Sequence, residues 1–468
     1  MKKNICILFL LLPVVVFSQQ NWYKSSSLDQ IWTLVGKYEF SAAEADWTCL
    51  AFSPSGQPYV AYEDISNGGA DKATVMKFDG TNWIQVGIEG FSAGQVSFVS
   101  LAFSPLDGQP YLAYMDFGNS YKATVMKFDG NNWVNVGNAG FSALQVWCTS
   151  LAFSPPGQPY IAYTDFGSSQ KATVMKFDGT NWMNVGNAGF SAGAVYNTSL
   201  AFNPTDSLPY VAYIDHGNSY KATVMKFDGN NWVNVGNAGF SAGHVKYTSL
   251  AFSSSGDPFI AFTDSLNAKK VTVMKFDGTN WVNVGNPGIS VGVTAYTSLA
   301  FNPVDGEPYV AFIDFANSNK VTVMKFNGTN WENEGLAGFT PSTSANPSLA
   351  FNPAGTPYVA FNIYGASVME YSYPTGLSEP QESRLSLYPD PVIDNLTIDF
   401  KIVNSDVRQV EIYESRGKKI FETQTDKGKL ILNVENYPSG IYLIKIKSEC
   451  LNRNAKFLKI KKEEFNTR

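Results

Sequence analysis

The chain contains 468 residues, of which 16% are charged, and its formal net charge is −6. The charge is unevenly distributed. Residues 19–383 contain 16 lysines, no arginine and 28 acidic residues, a net of −12, whereas residues 384–468 carry a net of +4. Nucleic-acid binding relies on basic side chains that contact phosphates. The acidic, arginine-free region therefore argues against nucleic acid as a partner.

Residues 1–18 predict a secretory signal peptide. Lys2 and Lys3 precede an apolar run from Ile5 to Phe17, and Ser18 offers a small residue at its end. The run is shorter than the roughly 20 apolar residues that cross a bilayer. No other stretch of the chain is as apolar, so no transmembrane segment is expected.

A tandem repeat fills residues 19–373. The tripeptide Leu-Ala-Phe recurs at spacings of 49 to 51 residues, with its leucine at Leu50, Leu101, Leu151, Leu200, Leu250, Leu299 and Leu349. Each copy predicts four strands, of the types SLAF, PYVAY, KATVMKF and NWVNVG, separated by Pro/Gly or Asp-Gly turns. Four strands in a repeat of this length are typical of a β-propeller blade, so seven blades are predicted.

The two ends of the array indicate a closed ring. An orphan fourth strand, Ile31–Gly36, precedes the first copy, and the seventh copy stops after its third strand, Ser367–Tyr371. Each end lacks what the other supplies. We therefore predict that the N-terminal strand completes the seventh blade, which removes two exposed sheet edges.

The region after the repeat has a different composition. Residues 374–384 are rich in turn formers and predict a linker. Residues 385–468 contain short alternating apolar runs, which predict a small Ig-like β-sandwich. The chain is thus expected to be all-β, with a propeller followed by a sandwich domain.

Two resemblances to known families rest on these regions. The segment SGQPYVAY at Ser55–Tyr62 resembles the core of NHL-type propeller repeats, in which a Gly turn precedes a Tyr-Val-Ala strand. This resemblance supports the architecture and implies no activity.

Residues 385–468 closely resemble the C-terminal sorting domain of cargo of the type IX secretion system. The resemblance lies in the opening Tyr388–Pro391, the turn at Gly417, the strand that begins at Gly440 and the lysine-rich last strand. Asp390 stands where the family usually has Asn. The resemblance implies that this secretion machinery is a partner. It also implies that the protein reaches the cell surface or the extracellular space, surface-attached or released.

Candidate ligand-binding residues vary between otherwise similar repeats. They are the aromatic residues just before each SLAF segment: Trp47, Phe98, Trp147, Tyr196, Tyr247 and Tyr296, with Asn346 in the last copy. Aromatic rings near a channel mouth can stack on sugars or pack on a protein partner. They can equally wedge between neighbouring blades, and the sequence leaves both readings open.

Each of the first six copies also has an aspartate that ends the second strand and a lysine that begins the third. The six pairs are Asp64 and Lys72, Asp116 and Lys122, Asp165 and Lys171, Asp215 and Lys221, Asp264 and Lys270, and Asp314 and Lys320. Six carboxylates can suggest a cation site. The seventh copy loses both members together, at Ile363 and Gly365, so structural cross-strand ion pairs are the favoured interpretation.

Enzymatic function finds little support in the sequence. A sialidase would need an arginine cluster to bind the substrate carboxylate, and the propeller contains no arginine. A metal site would need several His or Cys ligands, and the two histidines, His216 and His244, are expected to be surface variations. No metal, cofactor or catalytic residue is predicted. Carboxylate pairs such as Glu63 with Asp64 keep a carbohydrate hydrolase or lyase as an alternative. The favoured function is non-enzymatic binding or adhesion to an extracellular glycan or protein, and a purely structural surface component is a third possibility.

Overall fold

The computed structural model describes residues 31–65, 71–372, 386–389, 392–399, 408–414, 418–447 and 452–460. These residues form two compact units, 31–372 and 386–460. The predicted signal peptide and linker lie outside the described residues. No helix within those ranges has the length and apolar character needed to cross a membrane.

The first unit consists of 28 strands and four short 3-10 helices. In chain order the strands are β1 (Ile31–Leu34), β2 (Glu44–Phe52), β3 (Pro58–Ile65), β4 (Lys72–Phe78), β5 (Trp83–Gln85), β6 (Val96–Phe103), β7 (Pro110–Asp116), β8 (Lys122–Phe128), β9 (Trp133–Asn135), β10 (Val146–Phe153), β11 (Pro159–Asp165), β12 (Lys171–Phe177), β13 (Trp182–Asn184) and β14 (Val195–Phe202). They continue with β15 (Pro209–Asp215), β16 (Lys221–Phe227), β17 (Trp232–Asn234), β18 (Val245–Phe252), β19 (Pro258–Asp264), β20 (Lys270–Phe276), β21 (Trp281–Asn283), β22 (Thr294–Phe301), β23 (Pro308–Asp314), β24 (Lys320–Phe326), β25 (Trp331–Asn333), β26 (Ala345–Phe351), β27 (Pro357–Asn362) and β28 (Ala366–Ser372). The 3-10 helices are Phe117–Asn119, Phe166–Ser168, His216–Asn218 and Phe315–Asn317.

These strands form seven four-stranded antiparallel sheets, which confirms the predicted blades. They are blade 1 (β2–β5), blade 2 (β6–β9), blade 3 (β10–β13), blade 4 (β14–β17), blade 5 (β18–β21), blade 6 (β22–β25) and blade 7 (β26–β28 with β1). The first strands begin earlier than the predicted SLAF segment, because pairing with the second strand continues on both sides of a bulge, as between Asp46 and Cys49.

The predicted closure by the N-terminal strand is confirmed by its pairing. Strand β1 pairs with β28, with Trp32 opposite Tyr371. The Trp32 indole Nε1 donates a hydrogen bond of 2.7 Å to the Glu334 carbonyl of blade 6. The tryptophan of each other blade makes the same bond to its preceding neighbour: Trp83, Trp133, Trp182, Trp232, Trp281 and Trp331 donate to Val35, Val86, Val136, Val185, Val235 and Val284.

A second ring of hydrogen bonds joins the first strands of the seven blades. In each blade the backbone N–H of the SLAF leucine donates to the side chain just before the equivalent leucine of the preceding blade. The acceptors are Ser348, Ser100, Ser150, Ser199, Ser249 and Ser298, with Cys49 taking the place of serine once. Leu50 donates to Ser348 at 3.0 Å across the seam between blades 1 and 7. The ring is therefore continuous around the centre.

The second unit has two antiparallel sheets around one core. Its strands are β29 (Ser386–Tyr388), β30 (Asn395–Asp399), β31 (Arg408–Glu414), β32 (Lys419–Thr425), β33 (Lys429–Asn433), β34 (Gly440–Lys447) and β35 (Asn452–Lys459). One sheet has the order β29-β30-β33 and the other β32-β31-β34-β35. Leu396 and Ile398 of the first pack with Ile412, Ile444 and Phe457 of the second. This confirms the predicted sandwich.

Candidate functional site

The two variable connections of each repeat meet on one face of the propeller. These connections, from the second to the third strand and from the fourth strand to the next blade, define the loop face. The Val96 amide donates to the Asp71 carbonyl at 2.9 Å, and the Phe117 amide donates to the Gln95 carbonyl at 3.0 Å. Neighbouring blades therefore hold their loops against one another, as expected of a scaffold that presents a site on loops.

The six aspartates at the ends of the second strands are buried, and they do not form the predicted ion pairs. Each lies opposite its lysine in the ladder, as Asp215 lies opposite Lys221. The aspartates are at most 3% exposed. Among the described residues, no lysine ammonium comes within 4.0 Å of any of their carboxylates.

Neutral donors bind these carboxylates instead. The threonine two residues after each lysine donates its hydroxyl at 2.8 to 3.4 Å, from Thr74, Thr124, Thr173, Thr223, Thr272 and Thr322. Turn side chains add a second bond in five blades, from Asn119, Ser168, Asn218, Asn267 and Asn317. Burying an ammonium as well would cost several kcal/mol of desolvation. The ion-pair prediction is therefore wrong. The aspartates instead accept hydrogen bonds that stabilise the turns between the second and third strands.

The aromatic candidates do not form one ring of equivalent positions. Trp47, Phe98, Tyr247 and Tyr296 share a bulge position with positive φ of 50° to 56°, and blades 3, 4 and 7 have Cys148, Asn197 and Asn346 there. Trp147 and Tyr196 stand one residue earlier, opposite Thr164 and Ile214. The candidates also lie within the first strands and not in the preceding loops.

Neighbouring blades hold the bulges in place. Where the residue after the bulge position is threonine, its hydroxyl donates to the carbonyl of the bulge residue in the preceding blade. The pairs are Thr48 with Asn346, Thr149 with Phe98, Thr198 with Cys148, Thr248 with Asn197 and Thr297 with Tyr247. A non-glycine residue in this backbone region costs about 1–3 kcal/mol. The hydrogen bond between blades offsets part of that cost.

The aromatic rings pack in pairs and stay partly open to solvent. Trp47 and Phe98 lie 4.6 Å apart between ring centroids, and Tyr247 and Tyr296 lie 4.5 Å apart. Trp147 packs edge-on against Phe166 of a 3-10 helix at 4.8 Å. All of these candidate side chains are half-buried. They therefore wedge between elements of the propeller and still present surface on the loop face.

Blade 1 carries an acidic cluster beside these rings. Asp46 lies opposite Glu63 in the ladder, and its carboxylate accepts from the Trp47 amide and the Asn346 side chain. Burial raises the pKa of Asp46. Burial also raises the pKa of Glu63 to about 7, although the Ser97 hydroxyl, at 3.1 Å, opposes the shift. Glu63 can therefore exchange a proton near neutral pH.

A cavity of about 780 Å³ opens on the loop face over blades 4, 5 and 6. His216 and His244, predicted to be surface variations, are both exposed, and they lie beside Tyr220 at centroid distances of 4.7 and 5.8 Å. His244, Tyr196 and Tyr247 line the cavity, together with Lys246 and Lys269, which were not among the candidates predicted from the sequence. Their departure from the other repeats at matching positions was the signal that could have identified them.

The described residues contain no group of three or more His, Cys, Asp or Glu side chains arranged to hold a metal ion. Cys49 and Cys148 are free thiols, and both are half-buried. Burial raises the pKa of Cys148 to about 11, so its thiol stays protonated at neutral pH.

Comparison with known proteins identifies the second unit. Residues 386–461 match the family model for the secretion system C-terminal sorting domain. No curated protein matches the chain.

Several solved structures are similar over most of the chain. One is PorZ of Porphyromonas gingivalis, a surface component of its type IX secretion system, at 15% identity and a TM-score of 0.47; the match covers 88% of this chain and 59% of PorZ. A protein of unknown function from Dyadobacter fermentans has 10% identity and a TM-score of 0.43, with 73% and 97% covered. An ulvan lyase of family PL25 has 11% identity and a TM-score of 0.48, with 73% and 96% covered.

These identities are too low to transfer an activity, and the chain spans less than two thirds of the length of PorZ. The family assignment therefore rests on the match of the second unit. Residues 386–461 belong to the C-terminal sorting domains of the type IX secretion system, which mark this propeller protein for export to the cell surface or the extracellular space.

Proposed function

We propose that the protein is a non-enzymatic binding propeller, secreted or attached to the cell surface, and that its loop face takes a glycan. The observation that carries this proposal is the set of half-buried aromatic side chains on the loop face. Trp47, Phe98, Tyr247 and Tyr296 sit on bulges with positive φ that a neighbouring blade holds by hydrogen bonds or packing.

Rings held in this way suit a sugar ligand. An aromatic ring presents a rigid apolar face with little conformational entropy to lose on binding. Groups fixed by a supporting scaffold bind with a smaller ordering cost than mobile loops do. A protein partner would also use aromatic anchors, so the ligand class is decided by experiment.

The test is glycan-array binding by the full-length secreted protein and by Trp47→Ala, Trp147→Ala and Tyr247→Ala variants. We expect at least one of these changes to weaken binding about tenfold or more, because removing an aromatic ring loses both its buried apolar area and a stacking contribution of about 0.5–1.5 kcal/mol, and about 1.4 kcal/mol is a tenfold change in affinity. Met183→Ala is the matched control, because Met183 is 49% exposed on an outer strand. Binding that is unchanged in all three variants would remove the aromatic rings from the function.

A carbohydrate-active enzyme is the second candidate, and one observation favours it. The pKa of Glu63 is raised to about 7, which suits a general acid or base at neutral pH. Its test is turnover of extracellular polysaccharides by the wild type and by Glu63→Gln. Glu332→Gln is the control, since Glu332 is exposed on the fourth strand of blade 6, away from this cluster. Turnover that is lost only in Glu63→Gln would establish an enzyme and overturn the non-enzymatic proposal.

A further inference from the structure

The ionisable Lys and His side chains that line the cavity over blades 4 to 6 are all basic. We call this cavity the blade 4–6 cleft. Its lining consists of Tyr196, Asn197, Ile214 and Tyr220 of blade 4, residues His244 to Tyr247, Thr263, Ser265 and Lys269 of blade 5, and Val293 to Ala295 and Phe315 of blade 6. The lining has three basic side chains, His244, Lys246 and Lys269, and no carboxylate. This is unusual for a propeller region with a net charge of −12.

The basic groups occupy three positions that are acidic in blade 1. Lys246 pairs with Thr263 as Asp46 pairs with Glu63. His244 precedes the residue opposite Asp264, as Glu44 precedes the residue opposite Asp64.

The third position, just before the third strand, is also basic in blade 5 and acidic in blade 1. Lys269 and Asp71 each precede the first lysine of a third strand, and both have positive φ, of 58° and 34°. The same scaffold positions thus carry three acidic groups in blade 1 and three basic groups in blade 5. The loop face is therefore electrically polarised, with its basic region at the cleft.

The basic side chains have no acidic partner. Among the described residues, no carboxylate lies within 4.0 Å of Lys246, Lys269 or His244. The nearby Asp264 is 2% exposed, and it accepts hydrogen bonds from Asn267 and the Leu266 amide. The charge of the two lysines is therefore available to a ligand.

The backbone that carries these groups is fixed. The Lys269 amide donates to the Asp264 carbonyl at 2.8 Å, and the Lys269 carbonyl accepts from the Thr294 amide of blade 6 at 2.9 Å. The His244 carbonyl accepts from the Ser265 amide at 2.9 Å. Charged groups on an ordered backbone lose less freedom when they bind.

Aromatic rings complete the cleft. Tyr196 and Tyr220 lie 6.5 Å apart with an interplanar angle of 20°, and Tyr247 packs against Tyr296 at 4.5 Å. Tyr220 and Phe315 remain 41% and 50% exposed. Rings beside cationic groups in a concave space offer one surface for the apolar face of a sugar ring and another for its acidic substituents.

We propose that the blade 4–6 cleft binds an acidic saccharide, recognised through carboxylate or sulfate groups by Lys246 and Lys269. This inference rests on the proposed function of the loop face and names its ligand class. A concave cavity of about 780 Å³ matches the size of sites for small ligands and short oligomers, whereas a protein partner needs a broader surface.

The experiment measures binding of three probes to the full-length secreted protein by calorimetry. The probes are an oligogalacturonate, a sulfated glycosaminoglycan oligosaccharide and a neutral gluco-oligosaccharide of equal length. We expect one or both acidic probes to bind at least about tenfold more tightly than the neutral probe, because charge-assisted hydrogen bonds are stronger than neutral ones. The acidic probe that binds more tightly identifies the recognised group as carboxylate or sulfate.

The decisive variant is Lys246→Gln combined with Lys269→Gln. It should weaken binding of the acidic probe about tenfold or more and leave any binding of the neutral probe unchanged. The matched control is Lys176→Gln combined with Lys275→Gln, which removes the same charge from third strands outside the cleft lining. The control should retain the wild-type affinity.

The outcomes separate this inference from the function on which it rests. Equal affinity for neutral and acidic probes, or an acidic affinity that is equally weakened in the control, overturns the acidic-saccharide site and leaves glycan binding intact. Binding of an acidic protein but of no saccharide overturns both. Absence of all glycan binding in the wild type, on these probes and on the array, likewise overturns the proposed function and this inference together.

Discussion

The indole nitrogen of Trp32 donates a hydrogen bond of 2.7 Å to the backbone carbonyl of Glu334, 302 residues later in the chain. The same ring stacks on Phe339 at 4.1 Å between centroids. Trp32 thereby makes in blade 7 the contacts that internal tryptophans make elsewhere, as Trp182 does with Val136 and Phe141. The N-terminal strand is thus an integral part of the ring.

The first prediction follows from this contact. Trp32→Ala should lower the free energy of unfolding by about 3–5 kcal/mol, the usual cost of removing a buried aromatic side chain. Urea denaturation monitored by circular dichroism measures it. Ile31→Ala is the control in the same strand, since Ile31 is 42% exposed, and it should change stability by about 0.5 kcal/mol or less. Equal small effects of both variants would mean that the ring does not depend on β1.

The second prediction tests the role of the buried aspartates. Asp215 accepts from Thr223 at 2.9 Å and from Asn218 at 2.8 Å. Asp215→Ala should cost about 1–3 kcal/mol, because it leaves buried donors unpaired. Lys221→Gln should cost about 0.5 kcal/mol or less, because the ammonium has no carboxylate partner there. Equal losses in the two variants, measured by urea denaturation, would restore the ion-pair interpretation.

The third prediction concerns pH. The pKa of Glu63 rises from 4.5 to about 7 on folding, so the folded state binds more protons than the unfolded state between these values. The contribution of Glu63 to the free energy of unfolding is therefore greatest below about pH 4.5. It is lost as the pH rises through about 7, and the loss is at most about 3 kcal/mol. Glu63→Gln should flatten the stability profile over this window.

Neighbouring carboxylates also contribute to the pH dependence of stability. Burial also raises the pKa of Asp46, and it raises the pKa of Asp64 to about 6, so both keep titrating in Glu63→Gln. The slope should therefore decrease without disappearing. Glu332→Gln should retain the wild-type profile, because Glu332 is exposed on the fourth strand of blade 6. A Glu63→Gln profile identical to that of the wild type would contradict the raised pKa.

The fourth prediction concerns export. Phe457 is 1% exposed and stacks on Tyr442 at 5.2 Å in the core of the sorting domain. Phe457→Ala should destabilise that domain by about 3–5 kcal/mol and reduce the amount of protein that reaches the cell surface or the medium. Ile441→Ala, at a position 58% exposed, is the control. Cell fractionation and immunoblotting compare the two variants, and normal export of Phe457→Ala would argue that the folded core is not needed for sorting.

Most of the fold could be predicted from the sequence because the same strand and turn patterns recur in each copy of the repeat. Asp-Gly turns illustrate this: the Asp79 side chain accepts from the Thr81 and Asn82 amides at 2.8 and 2.7 Å, and Gly80 has φ of +101°. Turn chemistry of this kind acts over three or four residues and is visible in the sequence. Even closure followed from counting strands, since one end of the array supplies what the other lacks.

The candidate site was only partly predictable. The sequence placed aspartate and lysine opposite one another correctly, as the pairing of Asp165 with Lys171 confirms. It could not show that Asp165 is 3% exposed and bound by Thr173, because burial and hydrogen-bond partners depend on packing across the sheet. Alignment by the SLAF segment alone also missed that Trp147 and Tyr196 precede the bulge position.

The sequence by itself thus determined the architecture of the propeller, its closure by the N-terminal strand and the sorting domain, since all three depend on local patterns of strands, turns and motifs. Only the tertiary structure decided which polar groups remain available to a ligand. It placed Asp64 and its equivalents inside the scaffold, and it brought Lys246 and Lys269 together beside Tyr220 in one cavity. The physical reason is that solvent access and partners are set by neighbouring strands and blades, not by adjacent residues in the chain.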